Sequence, residues 1–237
     1  MTLPCLVRCR AVHKSFARSP RERIDILLGI DFELVAGQLT LVHGASGTGK
    51  STLLAILGCL LQPERGTLEL LDRPVDFRDE EGLAALRAAH YGYVFQDHRL
   101  FDALTARENV ELALALKGIG RSAAATSAAH ALAEVGVGEL ADAKPARMSG
   151  GQRQRVSIAR AIAGRPSVLL CDEPTASVDV KTALQLGELL RQLVVGTNRT
   201  ALVVTHDEHL RRFSDHVLVL QNGRLVPLSA EAARCAG

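Results

Sequence analysis

The sequence predicts an α/β fold with buried parallel strands, and three stretches predict it. Gln38-Leu39-Thr40-Leu41-Val42-His43 is a short, mostly apolar run behind Gly37; the Gly-rich run Gly44-Ala45-Ser46-Gly47-Thr48-Gly49-Lys50-Ser51 and the helical run Thr52 to Leu57 follow it. Val168-Leu169-Leu170-Cys171 is apolar without alternation, as a parallel strand covered on both faces requires. Ala201-Leu202-Val203-Val204-Thr205 repeats that pattern after a long amphipathic helix.

Taken in order, residues 3 to 12 read as an edge strand, after which Phe16 opens a polar loop holding Arg18, Pro20, Arg21 and Arg23. Ile30-Asp31-Phe32-Glu33-Leu34 alternates apolar and charged residues, the mark of a half-buried strand. The Gly-rich run reads G-x-x-x-x-G-K-S. Its glycines let backbone N–H groups approach a triphosphate, Lys50 reaches the β- and γ-phosphates, and the Ser51 hydroxyl helps hold Mg²⁺. The nucleotide-binding set is therefore Gly44, Ala45, Ser46, Gly47, Thr48, Gly49, Lys50, Ser51 and Thr52, on a helix from about Lys50 to Leu60 whose positive end faces the anion. Thr67 to Leu71 returns as a strand, Glu80 to Ala89 is helical, and Tyr91 to Gln96 is a strand rich in aromatic and β-branched residues.

From about Asp97 to Gly164 the composition becomes helical and Ala-rich, a helical insert between strands of the core. Thr105-Ala106-Arg107-Glu108 is a capping box opening a helix through Lys117, Ser122 to Val135 is a second helix stopped at Gly136, and Ser149 starts a third that runs to about Ala163. The helix after Val168–Cys171 places Leu184, Leu189, Leu190 and Leu193 inward; two closing strands, His216 to Gln221 and Arg224 to Leu228, meet at an Asn222-Gly223 turn, and a short frayed tail follows. No linker or repeat divides the 237 residues.

Composition excludes several classes. A net charge of +2 and 3% aromatics without Trp give no footprint for nucleic acid. No apolar stretch approaches the ~20 residues of a membrane span, and the N-terminus lacks the pattern of a secretory signal. Five scattered cysteines (Cys5, Cys9, Cys59, Cys171, Cys235) show neither ligand spacing nor a disulfide framework and read as reduced thiols of a cytoplasmic protein.

Two constellations carry the chemistry. Asp172-Glu173 ends a buried strand, where nucleotide sites lie in α/β sheets: Asp172 is placed to hold Mg²⁺ and Glu173 to polarise a water for attack on the γ-phosphate. Met148-Ser149-Gly150-Gly151-Gln152 exposes backbone N–H groups at a helix start; alone it would be only a flexible helix entry, but it lies 23 residues before Asp172. His206-Asp207-Glu208-His209 lacks a further ligand cluster and reads as a helix start rather than a zinc site.

With these residues together the chain resembles the ABC-type ATPases. Lys50 and Ser51 match the Walker A loop, Gln96 the Q-loop, Ser149, Gly150, Gly151 and Gln152 the signature, and Asp172 with Glu173 the Walker B pair. Ala176 to Asp179 match the D-loop, His206 the switch histidine, and Phe16 takes the place of the aromatic that stacks on adenine. Met148 departs from the usual leucine, apolar for apolar.

The resemblance implies one P-loop NTPase domain: a RecA-like core with an antiparallel β subdomain (1–96 and 165–237) and a helical subdomain (about 97–164). It implies ATP hydrolysis with Mg²⁺, held by Ser51, Gln96 and Asp172, with Glu173, His206, Gln96 and Lys50 as catalytic residues. It also implies a head-to-tail homodimer in which Ser149 to Gln152 of one subunit face the Walker A loop of the other across ATP, with Asp179 also among the ATP-binding residues. Ser51 to Gly58, Gly92 to Gln96 and Leu104 to Val110 are similar to the lipoprotein-release, macrolide-export and cell-division branch. That branch implies a cytoplasmic subunit, peripheral on the inner face of the membrane beneath a four-span permease. A soluble ABC ATPase of repair or translation, or a regulator of cell-wall hydrolases, is the alternative.

Overall fold

The structure, a computed structural model, describes residues 3–19 and 22–228. Pro20, Arg21, Cys235 and the expected tail lie outside the described residues.

Ten strands and six α-helices are described: β1 (Cys5–Ser19), β2 (Glu22–Val35), β3 (Leu39–His43), α1 (Lys50–Leu57), β4 (Arg65–Leu70), β5 (Arg73–Pro74), α2 (Glu80–His90), β6 (Tyr91–Val94), α3 (Ala106–Leu116), α4 (Arg121–Glu134), α5 (Gly150–Ile162), β7 (Val168–Asp172), α6 (Val180–Val194), β8 (Thr200–Thr205), β9 (His216–Gln221) and β10 (Arg224–Pro227). They form an antiparallel sheet of order β2-β1-β4-β5 and a six-stranded sheet of order β10-β9-β3-β8-β7-β6. In the second, β9, β3, β8, β7 and β6 run parallel, and β10 closes it antiparallel through the Asn222-Gly223 turn.

The sequence places the first strand at a sheet edge and ends it near residue 12, and the structure corrects both points. β1 is flanked by β2 and β4, and it continues through Phe16 to Ser19. The polar residues misled because the far end of the hairpin lies open to solvent, where the period-2 burial pattern fades while backbone pairing persists, Phe16 opposite Ile24 and Ala17 opposite Arg23. An irregularity near Ala11, whose N–H donates to Asp31 Oδ1 at 3.0 Å, further breaks the alternation.

The parallel strands are buried on both faces. Along β7, Val168 and Leu170 point to the side covered by α1 and the antiparallel sheet, while Leu169 and Cys171 point to the side covered by α5 and α6. Fully burying each such side chain contributes about 1.5–3 kcal/mol. On α6 the inward positions are Ala183, Leu186, Leu189, Leu190 and Leu193; Leu184, expected among them, is half-buried, one helical position off the face. The capping box of α3 is present in both directions, Glu108 N–H donating to Thr105 Oγ1 at 3.2 Å and Thr105 N–H to Glu108 Oε2 at 2.7 Å. Strand β6 stops at Val94, so Gln96 lies in the loop beyond it rather than at the strand end.

This topology positions the site. β3, β6, β7 and β8 are parallel, so their C-terminal ends share one edge, and from that edge emerge the Gly44–Gly49 loop, Gln96, Asp172-Glu173 and Thr205-His206.

Candidate functional site: a nucleotide cleft at the sheet edge

Gly47 and Gly49 take positive φ, 80° and 101°, and a Cβ on Gly49 would stand 2.6 Å from Ile26 Cγ2. Only glycine lets the loop close against β2 there. Lys50 is 7% exposed and donates to the carbonyls of Gly44 at 2.7 Å and Ala45 at 3.0 Å. The loop is thus drawn around its own lysine, with the N-terminus of α1 beneath it. A cleft of about 250 Å³ opens beside it, lined by Gly47, Gly49, Lys50, Ser51 and Thr52 and walled by Phe16 and Ile26.

The carboxylates stand across from this loop. Ser51 Oγ donates to Asp172 Oδ1 at 3.3 Å. Burial raises the Asp172 carboxyl above its ordinary range and the neighbouring Glu173 adds to this, while the Ser51 hydrogen bond and Lys50 oppose it. Glu173 is held from three sides. Thr205 Oγ1 donates to its Oε2 at 2.8 Å, His206 N–H and Nδ1 lie 3.2 and 3.0 Å from the same oxygen, and Lys50 Nζ is 3.7 Å from Oε1. Its backbone is left-handed, φ 46°. His206 is open to solvent while Glu173 is largely covered, so the histidine closes the outer side of the carboxylate. The four residues after β8 lead into a short 3-10 helix, Glu208–Phe213, as their reading as a helix start expects: Asp207 caps it, accepting from His209 N–H at 2.9 Å, and also accepts from Thr175 Oγ1 at 2.8 Å.

The structure brings Lys50, Ser51, Asp172, Glu173 and His206 together, with Phe16 at the mouth of the cleft. It does not bring Ser149, Gly150, Gly151 and Gln152 into that lining. Instead Ser149 caps α5, accepting from Gln152 N–H at 3.2 Å while its own N–H donates to Gln152 Oε1 at 2.9 Å. Gly151 needs its lack of a side chain within the chain, since a Cβ would meet Thr182 Cγ2 at 2.6 Å. Asp179 caps α6 through Thr182, whose N–H and hydroxyl both hold its carboxyl below the ordinary range. The loop after Gln96 is pinned to α5, where Arg160 donates to the carbonyls of His98 and Arg99. Sequence reading missed Thr205, although a polar residue ending an otherwise apolar strand was the available signal; it also missed Ile26, whose place depends on how the hairpin folds over α1.

The chain matches the ABC transporter family over residues 27–176. It is 39% identical over 229 residues to the lipoprotein-releasing system ATP-binding protein LolD of Hahella chejuensis, covering 97% of this chain and 98% of that one. It is 35% identical to the macrolide export ATP-binding/permease protein MacB of Nitrosomonas europaea, covering 94% of this chain but 34% of MacB. Among solved structures, a dimeric post-hydrolysis state of the ATP-binding cassette MJ0796 bound to ADP and Pi superimposes with a TM-score of 0.84 at 34% identity, over 95% of this chain and all of that one. Phosphate loop, paired carboxylates and histidine at one sheet edge agree with these likenesses, and the chain belongs to the ABC transporter family as an ATP-hydrolysing cassette of the LolD and MacB branch.

Proposed function

We propose that the chain is the energy-coupling subunit of a membrane transporter of the lipoprotein-releasing or macrolide-exporting kind, peripheral on the cytoplasmic face beneath a permease of four-span type. It works as a head-to-tail homodimer closing on two ATP molecules. One observation carries the dimer: a single chain has two helix starts suited to phosphate, at Lys50 and at Ser149, and only the first lines the cleft. The second completes a site only on another copy, and the dimeric neighbour supports that arrangement. Transport is supported by the names of LolD and MacB. We assign 1–96 and 165–237 to the core with its β subdomain and about 97–164 to the helical subdomain of one domain.

Ser51 Oγ and Asp172, with Gln96 from the neighbouring loop, are hard oxygen donors of the kind Mg²⁺ takes, and the raised Asp172 carboxyl is one that a cation would ionise. Bound there, Mg²⁺ supplies charge neutralisation of the phosphates. Phe16 offers its face to the base beside Ile26, and Gly44, Ala45, Ser46, Gly47, Thr48 and Gly49 present N–H groups to the phosphates, with Thr52 at the start of α1. Lys50 must exchange the Gly44 and Ala45 carbonyls for phosphate oxygens. Glu173 accepts the proton of the attacking water, held in aim by Thr205 and His206. Asp179, Ser149, Gly150, Gly151 and Gln152 act on the partner's nucleotide.

Glu173→Gln tests the chemistry. ATP hydrolysis should fall by roughly 10²–10⁴ with ATP binding intact, the usual worth of a general base; residual activity near wild type would remove Glu173 from that role. The same variant, held with ATP, should retain a four-span permease from gently solubilised membranes. Recovery without any membrane partner would defeat the transporter reading and leave the ATPase intact.

A further inference from the structure

Beside the turn that carries His206 lies a polar cluster for which the hydrolysis scheme has no use. His43 ends β3, one residue before the phosphate loop begins, on the strand face shared with Leu39 and Leu41, toward the turn Glu208–Phe213. Its Nε2 is 3.9 Å from Glu208 Oε1, and Glu208 also accepts from Arg211 Nη2 at 2.7 Å. His43 Nδ1 and Arg211 Nε are both buried without a hydrogen-bond partner among the described residues. Buried polar atoms left unpaired are unfavourable, so as packing this histidine is a poor choice where an aliphatic side chain would serve. Its place in the fold gives it another use.

In the pairing of β3 with β8, His43 stands opposite Thr205, whose hydroxyl holds Glu173. Glu208 follows His206 by two residues. The His43–Glu208 contact therefore joins the root of the phosphate loop to the root of the turn that aims His206 at Glu173. We propose that His43 is a positioning residue for hydrolysis: through Glu208 and Arg211 it fixes the 206–213 turn against the phosphate loop, keeping His206 on Glu173. At 3.9 Å the contact is too long for a hydrogen bond, and it tightens to one in the hydrolysing state, as catalytic contacts commonly do once ligand is bound. The charges around His43 are Glu208 and Arg211 on the turn, Lys50 on α1 and Glu173 after β7. Burial first, then Arg211, holds its imidazole below the usual range; the linkage needs only a proton on Nε2 facing Glu208.

This inference rests on the ATPase reading, and kinetics on the full-length chain separate the two. His43→Val removes the donor, and His43→Gln keeps an N–H with the reach of Nε2. We expect His43→Val to lower kcat about tenfold with KM for ATP within about twofold, the signature of a contact made on the way to the transition state. His43→Gln should restore most of kcat. Glu208→Ala should match the valine variant, and the double variant should lose no more than either single one. Wild-type kcat in His43→Val, equal loss in His43→Gln, or additive losses in the double variant would overturn the proposal. If His43→Val fails to fold, Glu208→Ala on the exposed turn carries the test alone: unchanged kcat refutes the linkage. A wild-type chain without ATPase activity would instead defeat the ATPase reading and this inference with it.

Discussion

In the proposed hydrolysis Glu173 takes a proton usefully only while its carboxylate is aimed, and the hydroxyl that holds it comes from the last residue of β8. Thr205→Val keeps size and strand propensity and removes the 2.8 Å bond to Oε2. Hydrogen bonds to charged groups are worth about 1.5–3 kcal/mol, so hydrolysis should drop roughly 10- to 100-fold while nucleotide affinity changes little. An unchanged kcat would show that His206 aims Glu173 unaided. At this scale the sequence was readable wherever function sits in consecutive residues: Gly44 to Ser51 is complete as a word, and Asp172-Glu173 follows four apolar residues. His43 and Glu208 were not readable, because 165 positions separate them and only the parallel pairing of β3 with β8 makes them neighbours.

Among the elements, β9 depends on a carboxylate. Asp215, just before it, accepts from Leu39 N–H at 2.8 Å and pairs with Arg191 of α6, tying the starts of β3 and β9 to that helix. Burial works to raise its carboxyl, but the Arg191 pair and the Leu39 N–H prevail and hold it below the ordinary range. A depressed carboxyl contributes stability present above its unfolded value of ~3.9 and lost as pH falls through its folded value. Asp215→Asn should therefore destabilise the chain by about 1 kcal/mol at pH 7, discounted for partial exposure, and the gap to wild type should close as denaturation is measured toward pH 3. A gap independent of pH would mean that Asn disturbs packing rather than charge. Helix starts such as Thr105 and Ser149 were legible because caps are local, whereas the flanked position of β1 was not, since nothing within one strand states how many neighbours it has.

At the scale of the molecule, the proposed head-to-tail closure makes one site of the two phosphate-seeking helix starts only in a pair of chains. Glu173→Gln with ATP should sediment as a dimer and without ATP as a monomer; adding Ser149→Arg should hold it monomeric while each chain still binds ATP. A dimer unaffected by the arginine would contradict the head-to-tail closure. The left-handed backbone at Glu173 has a consequence for the protein as an object of selection. A side chain other than glycine or asparagine in that conformation carries an energetic penalty of order 1 kcal/mol, which the proposed role of the carboxylate would justify. Heat tolerance and turnover therefore pull in opposite directions at this position. A library ranked by survival at high temperature alone would drift toward glycine at 173 and fill with durable chains that hold ATP and never spend it.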